Sequence, residues 1–175
     1  MTILCSILDD PKPVGDQTFG LQDSPILRPR ILLADDHPEV LEALRPSLDE
    51  LGEVVGMVGD GQALVEAARL LEPDLIFADI SMPRLNGLDA TRAILACQPK
   101  SKVIILTVHR EAVYLSLAFN AGARGYVLKR SAVAELPQAV LHVLAGDRYI
   151  GQGVGGREEW ASAEGDESTT WRSTL

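Results

Sequence analysis

The chain has 175 residues, with 16 Lys or Arg against 25 Asp or Glu and a formal net charge of −9. This length is enough for one domain with a hydrophobic core and some additional sequence. An acidic chain of this kind has no basic footprint for nucleic acid or for an anionic membrane surface, so we expect this chain to bind neither directly.

The cysteines and the apolar segments bear on the cellular compartment. Cys5 and Cys97 are too few for a disulfide framework. The first ten residues, MTILCSILDD, lack the basic start of a signal peptide, and no stretch approaches the roughly 18 apolar residues of a membrane span. We therefore expect a soluble, cytoplasmic protein.

Short apolar runs alternate with helical patterns along the middle of the chain. The five runs are RILLA, VVGMVG, DLIFAD, KVIILT and GYVLK, at 30–34, 54–59, 74–79, 102–107 and 125–129. A helical pattern follows each run, although Pro46 and Pro137 leave the bounds of the first and last helices open. Apolar runs without alternation are typical of a parallel sheet covered on both faces. We predict an α/β fold, a flavodoxin-like doubly wound sheet of five parallel strands in the order 2-1-3-4-5 with five helices.

The two ends of the chain lack these patterns. We predict an extended or disordered N-terminal extension at 1–29, a folded domain at 30–150 and a flexible, disordered C-terminal tail at 151–175. The tail begins with GQGVGG at 151–156, which has the spacing of a dinucleotide-binding loop. Because no strong strand precedes it and no helical pattern follows, we interpret it as a flexible linker.

Polar residues end four of the predicted strands. Asp35 and Asp36 follow the first strand, while Asp79, Thr107 and Lys129 end the third, fourth and fifth. Strands 1 and 3 are neighbours where the predicted strand order reverses, so their carboxylates meet in one crevice. Such carboxylates repel one another unless a cation joins them, and Mg²⁺ prefers oxygen ligands. An Asp in this setting can attack phosphorus to give an aspartyl phosphate, with the Lys and Thr on phosphoryl oxygens.

Together these residues resemble the receiver domain of response regulators. The acid pair, ADISMPRLNG around Asp79, the strand-ending Thr107 and Lys129 stand in the family's order and spacing. The segment AGARGYVLKR, followed by a helix that ends in AGDRYI, is similar to the NarL/FixJ type of transcription regulator. The resemblance covers about residues 29–150. It implies a two-component signalling domain, not an enzyme, which accepts a phosphoryl group from a sensor histidine kinase or a small phosphodonor.

The resemblance also implies the ligands of the metal. Asp79 would be the phosphoacceptor and would bind Mg²⁺ together with Asp36. Asp35 would help through a water molecule, and the backbone carbonyl of Ser81 would complete the protein ligands. The neighbouring His37 is expected to line the site.

The remaining carried-over roles concern the switch and the output. Thr107 and Lys129 would hold the phosphoryl group, and Tyr126 would turn inward when Thr107 moves. The family's output face would map to residues 111–146, which could support a homodimer. Val108 stands where receivers usually have a smaller residue, so we expect it to narrow access to the phosphoacceptor and to slow phosphotransfer or hydrolysis.

Three alternatives stay open at the level of sequence. No helix-turn-helix domain is recognisable after residue 150, so the chain is either a stand-alone receiver or the receiver part of a truncated NarL-type DNA-binding regulator. An aspartyl-phosphate phosphatase of the haloacid-dehalogenase type would need a second Asp where Ser81 stands. A flavodoxin-like FMN protein would need a Ser, Thr and Gly-rich loop where the acidic stretch 35–38 stands. His109 and His142 lack metal-ligand spacing and are expected to be structural or exposed.

Overall fold

The structure is a computed structural model that describes residues 28–163. Its elements run β1 (Arg30–Ala34), α1 (Pro38–Leu51), β2 (Glu53–Val58), α2 (Gly61–Leu71), β3 (Leu75–Ala78), α3 (Gly87–Cys97), β4 (Lys102–Thr107), α4 (Ala112–Asn120), β5 (Gly125–Leu128), a 3-10 turn (Lys129–Ser131), α5 (Ala132–Ala145), β6 (Tyr149–Ile150) and α6 (Arg157–Ala163). Within this part of the chain, no helix is long and apolar enough to cross a membrane.

All strands of the sheet are parallel and follow the order β2-β1-β3-β4-β5-β6. The predicted α/β fold and the order of its first five strands are therefore confirmed. The sixth strand was not predicted. It is only two residues long and pairs Tyr149 and Ile150 with Gly125 and Tyr126 of β5, which is too short for any apolar pattern to stand out in the sequence.

Helices cover the sheet on both faces, and each face has its own hydrophobic core. Side chains of α1 and α5 pack on one face, against alternate residues of the strands such as Leu33 and Phe77. Side chains of α2, α3 and α4 pack on the other face, against the intervening residues such as Leu32 and Ile76. Both faces are apolar, which is why the strands read as continuous runs in the sequence.

The structure bears on two parts of the sequence interpretation, the bounds of the first and last predicted helices and the C-terminal tail. The helices α1 and α5 continue through Pro46 and Pro137, which the sequence had left open. Residues 151–163, predicted to belong to a flexible tail, contain α6 and pack against the domain through Trp160. The predictions for residues 1–27 and 164–175 lie outside the described residues.

The register of the sheet brings the acidic residues together. Ala34 at the end of β1 pairs with Ala78 at the end of β3. The next residues are Asp35 and Asp79, and the Asp79 N–H donates to the Ala34 carbonyl at 2.9 Å. Because the strands are parallel, both carboxylates leave the sheet at the same edge.

The loop between β3 and α3 is held close to Asp79 by a glycine. The Gly87 N–H donates to the Ile80 carbonyl at 3.0 Å. A Cβ atom on Gly87 would lie 1.9 Å from the Asp79 carbonyl oxygen, so no other residue fits without a backbone shift. The second anchor is Arg84, which has a positive φ of 65° and forms an ion pair with the buried Asp60.

Substitution Gly87→Ala should therefore destabilise the domain. We expect the free energy of unfolding to fall by about 2–3 kcal/mol, since the added methyl group forces the backbone apart. Urea unfolding followed by circular dichroism measures this loss. Gly59→Ala is the matched control, because its Cβ would lie 3.9 Å from the Asp35 carbonyl oxygen, an ordinary contact. Equal stability of the two variants would contradict the packing argument.

Candidate functional site at the carboxyl edge of the sheet

A buried ion-pair cluster lies at the carboxyl edge of the sheet. Asp35 and Asp79 are 2% and 3% exposed. The Lys129 Nζ atom lies 2.6 Å from Asp35 Oδ2 and 2.9 Å from Asp79 Oδ2, and thus bridges the two carboxylates. The other oxygen of Asp79 accepts the Ile80 N–H at 2.7 Å. The structure thus joins residues that are about 50 and 95 positions apart in the chain.

The electrostatics of the cluster keep Lys129 charged. Burial lowers the pKa of Lys129, but hydrogen bonds to Asp35 and Asp79 and the charges of both carboxylates outweigh it, so its pKa is raised above the ordinary lysine value. A protonated lysine between two buried carboxylates leaves one negative charge uncompensated there. A further cation is favoured beside such a group.

The third carboxylate lies at the rim of the site. Asp36 is exposed, and its Oδ1 atom is 2.7 Å from Nδ1 of the exposed His37, which also lies 3.3 Å from Asp35 Oδ1. The charge of Asp36 and, next, the hydrogen bond to Asp35 raise the pKa of His37. Ligand atoms of Asp35, Asp36 and His37 all lie within 4.8 Å of one another, close enough to hold one metal ion. The expectation that His37 lines the site agrees with this position.

Thr107 and Tyr126 are joined through the loop that follows β4. Thr107 is fully buried, and its Oγ1 atom accepts the His109 N–H at 3.3 Å. The Tyr126 side chain is also fully buried, and its hydroxyl donates to the His109 carbonyl at 2.9 Å. It thus already has the inward position that the sequence analysis expected only after a movement of Thr107. Burial raises the pKa of Tyr126 far above the usual range, so its hydroxyl keeps its proton and acts as a donor.

His109 contacts four other residues of the site, namely Thr107, Tyr126, Tyr114 and Ser81. The sequence analysis did not predict this role. Besides its two backbone contacts, its ring stacks on Tyr114 at 4.1 Å between centroids. Its Nε2 atom lies 3.0 Å from Ser81 Oγ, across the gap between the loops after β3 and β4. These residues line a groove of about 470 Å³ beside the cluster. The only sequence signal was the position of His109 two residues beyond Thr107.

Val108 and Ser81 lie at the surface of these loops. Val108 is 65% exposed. Ser81 is exposed as well, and its hydroxyl contacts the His109 ring. The geometry thus brings together Asp35, Asp79 and Lys129, with Asp36 at the rim and Thr107 at the end of the adjacent strand. Tyr126 lies on β5, and Ser81 and Val108 lie on loops.

The chain is similar in sequence to known response regulators. Residues 31–141 match the family described as the response regulator receiver domain. The response regulator GacA of Pseudomonas viridiflava is 38% identical over 123 residues, which is 69% of this chain and 58% of that protein. The response regulator UvrY of Escherichia coli K12 is 36% identical over 126 residues, 71% of this chain and 58% of that protein. The chain thus spans somewhat more than half the length of these relatives.

A solved structure agrees with the fold. The crystal structure of a LuxR-family two-component response regulator from Aurantimonas sp. SI85-9A1 has a TM-score of 0.71 and 33% identity, and the match covers 79% of this chain and 99% of that one. The family match takes in more than half of the sequence and contains the whole ion-pair cluster. The chain belongs to the response regulator receiver domain family and is a receiver of two-component signalling.

Proposed function

We propose that this domain accepts a phosphoryl group on Asp79 and uses the resulting change to switch a protein-interaction face. The observation that carries the proposal is the convergence of Asp35 Oδ2 and Asp79 Oδ2 on Lys129 Nζ at the carboxyl edge of the sheet. Asp79 is the carboxylate that directly follows β3. It is rigidly held at the end of a buried strand, and an oxygen of its side chain can attack phosphorus.

The chemistry proposed is a single phosphoryl transfer. One Asp79 oxygen forms a bond to phosphorus while the bond between phosphorus and the donor breaks, and the donor leaves with the bonding electrons. The donor is a phosphohistidine of a sensor histidine kinase or a small molecule such as acetyl phosphate. The ammonium of Lys129 then pairs with an oxygen of the transferred group and offsets its charge.

A magnesium ion fits the residues at this site. Asp35 Oδ2 is buried with Lys129 Nζ at 2.6 Å, and a ligand atom of Asp36 lies within 4.8 Å of one of Asp35. Together with Asp79, which contacts the same lysine, these residues offer the oxygen ligands that Mg²⁺ prefers. We propose Asp36 and Asp79 as ligands, Asp35 as a ligand through water, and the Ser81 carbonyl as a further one. When bound, the ion would neutralise charge on the phosphoryl oxygens.

Thr107 and Tyr126 form the proposed switch. The Thr107 side chain, whose Oγ1 accepts the His109 N–H, would move toward the phosphoryl group and donate its O–H to a phosphoryl oxygen, which takes Oγ1 away from the His109 N–H. The loop after β4 then loses one of its hydrogen bonds and shifts. Because the Tyr126 hydroxyl is bonded to the His109 carbonyl, the tyrosine is coupled to that shift.

The test is a phosphorylation assay on the protein itself. Incubation with acetyl phosphate and Mg²⁺ should give a phosphoryl adduct in the intact mass, labile at high pH as an acyl phosphate is, and absent when EDTA replaces Mg²⁺. A wild-type protein that binds Mg²⁺ and takes no phosphoryl group from acetyl phosphate or a histidine kinase would overturn the proposal. Sustained release of phosphate from a simple ester would favour the phosphatase alternative, which the Ser81 position argues against.

Val108 is proposed to limit access to Asp79. The substitution Val108→Ala should speed both formation and decay of the phosphoryl adduct by about threefold. Such a change corresponds to less than about 1 kcal/mol in the activation free energy. Rates come from the time course of the intact mass. Leu70→Ala on α2 is the matched control, because Leu70 is also exposed, at 73%, and lies outside the face at 111–146. Unchanged rates in Val108→Ala would remove this residue from the access path.

The output is proposed to be a homodimer through the face at 111–146. Exposed apolar side chains lie on both helices of this face, at Val113 and Leu117 of α4 and at Val133, Leu141 and Leu144 of α5. Phosphorylation should shift the protein to a larger size in light scattering coupled to gel filtration. The shift in size should be absent in a Leu141→Ser, Leu144→Ser double variant that still takes the phosphoryl group. A wild-type protein that is fully phosphorylated but unchanged in size would exclude the homodimer.

A second output candidate rests on the length of the relatives. The chain spans 58% of GacA. The RcsB response regulator of Salmonella typhimurium, 29% identical with a TM-score of 0.68 over 74% of this chain and 66% of that chain, is described in terms of its conformational dynamism for DNA interaction. In this candidate the receiver controls a separate DNA-binding domain. Coding sequence downstream of Leu175 would decide between the two.

A further inference from the structure

The segment after β6 contacts the domain at several places between Gly151 and Trp160. We name residues 151–160 the strap. At its start, the Gly151 N–H donates to the Tyr126 carbonyl at 2.8 Å, and the Gln152 N–H donates to the buried Glu135 carboxylate at 3.0 Å. Val154 is buried in the core shared by α2, α3 and α4. The strap therefore leaves the sheet edge in a fixed direction.

The middle of the strap contacts the loop between β4 and α4. The Gly155 N–H donates to the Arg110 carbonyl at 2.6 Å. A Cβ atom on Gly155 would lie 2.9 Å from that oxygen, and one on Gly156 would lie 2.7 Å from Ala112 Cβ. Gly156 also has a positive φ of 76°. The glycines at 151–156 thus permit a close backbone contact, in contrast to the flexible linker that the sequence suggested.

The far end of the strap rests on α4. The Trp160 ring meets Phe119 edge to face, with 5.1 Å between centroids. The Arg148 guanidinium carbon lies 5.1 Å from the Phe119 centroid and 5.7 Å from the Trp160 centroid. Cation–π and edge-to-face aromatic contacts of this kind are attractive. The strap is thus held at three places: the sheet edge, the loop and the helix.

The loop that the strap contacts is also the loop that begins at Thr107. On the inner side, Thr107 Oγ1 accepts the His109 N–H and the Tyr126 hydroxyl donates to the His109 carbonyl. On the outer side, the next carbonyl, that of Arg110, accepts the Gly155 N–H. A shift of Thr107 toward a phosphoryl oxygen therefore acts on the same few residues that anchor the strap.

We propose that the strap is an intramolecular ligand of the β4–α4 loop that is bound while Asp79 is unmodified and loosened when Asp79 carries a phosphoryl group. This inference rests on the proposed function. It makes the chain beyond Ile150 an output element, since the direction in which α6 continues depends on whether the strap is bound. By linkage, the phosphoryl group and the strap weaken each other by the same factor, about fivefold or more for a typical allosteric coupling.

Trp160 reports directly on the strap. The sequence has two tryptophans, so Trp171→Phe leaves Trp160 as the single emitter. Acetyl phosphate with Mg²⁺ should shift its emission to longer wavelength and make it more accessible to acrylamide, in proportion to the phosphorylated fraction in the intact mass. Full phosphorylation with unchanged Trp160 emission would overturn the strap inference and leave the proposed function standing, whereas failure to phosphorylate would overturn both.

Variants of the strap test the coupling in the reverse direction, that is, whether a loosened strap strengthens binding at the phosphorylation site. Gly155→Ala should tighten binding of beryllofluoride, a non-covalent phosphoryl mimic, by about fivefold or more, and should speed amide exchange at 108–112 without any ligand. Trp160→Ala serves the same purpose if Gly155→Ala folds poorly. Glu42→Ala, an exposed position on α1 outside the strap, is the control and should match the wild type. Unchanged affinity and exchange in both strap variants would show that the strap is only a structural cover.

Discussion

Replacement of Asp79 by Asn should abolish the phosphoryl adduct and leave the fold intact. The amide lacks the negative oxygen that attacks phosphorus, so no acyl phosphate can form at this position. Its carbonyl oxygen can still accept the Ile80 N–H that Asp79 accepts at 2.7 Å. Lys129 keeps its contact of 2.6 Å with Asp35, so no buried charge is left without a partner. Intact mass after incubation with acetyl phosphate and Mg²⁺ measures the effect.

Asp49→Asn is the matched control for this experiment. Asp49 lies on α1 with an exposed side chain and pairs with Arg45 at the surface. The control variant should take the phosphoryl group as fast as the wild type. An adduct of equal yield on Asp79→Asn would identify another acceptor, and mapping of the modified peptide would locate it. Circular dichroism of both variants excludes loss of structure as the cause.

The strand ends could be predicted from sequence because apolar runs mark them directly. Each of β1, β3, β4 and β5 is buried on both faces, so the polar residue that ends the apolar run or directly follows it stands out in the sequence. The parallel arrangement then puts all these residues at one edge. This reasoning located Asp35, Asp79, Thr107 and Lys129 without any knowledge of side-chain contacts.

Contacts made by loops could not be predicted in the same way. The His109 ring reaches Ser81 and Tyr114 only because the loops after β3 and β4 approach each other in space. The glycine-rich part of the strap has the composition of a flexible linker. In the structure, however, Gly153 and Gly156 have positive φ angles, and Gly155 lies against the Arg110 carbonyl. Composition alone does not distinguish a glycine that permits a close approach from one that permits disorder.

Replacement of Lys129 by Met should slow phosphorylation and at the same time tighten Mg²⁺ binding. Met keeps most of the length of the side chain and removes its charge. Loss of one preorganised positive group that stabilises developing negative charge costs about 10²–10³ in rate. The effect on the metal has the opposite sign, because the Lys129 ammonium, 2.6 Å and 2.9 Å from the two carboxylates, repels a second cation. A unit charge at about 4 Å contributes about 4 kcal/mol at an effective dielectric constant of about 20, so a tightening of about tenfold or more is expected.

Stability measurements separate this electrostatic effect from a folding defect. Without Mg²⁺, the variant leaves two buried carboxylates facing each other and should lose about 3 kcal/mol of unfolding free energy. Saturating Mg²⁺ should raise the free energy of unfolding of Lys129→Met more than that of the wild type, because the ion binds more tightly to the folded variant. Lys100→Met, an exposed position before β4, should change neither quantity. Weaker Mg²⁺ binding in Lys129→Met, measured by calorimetry on folded protein, would contradict a cluster in which lysine and metal compete for the charge of Asp35 and Asp79.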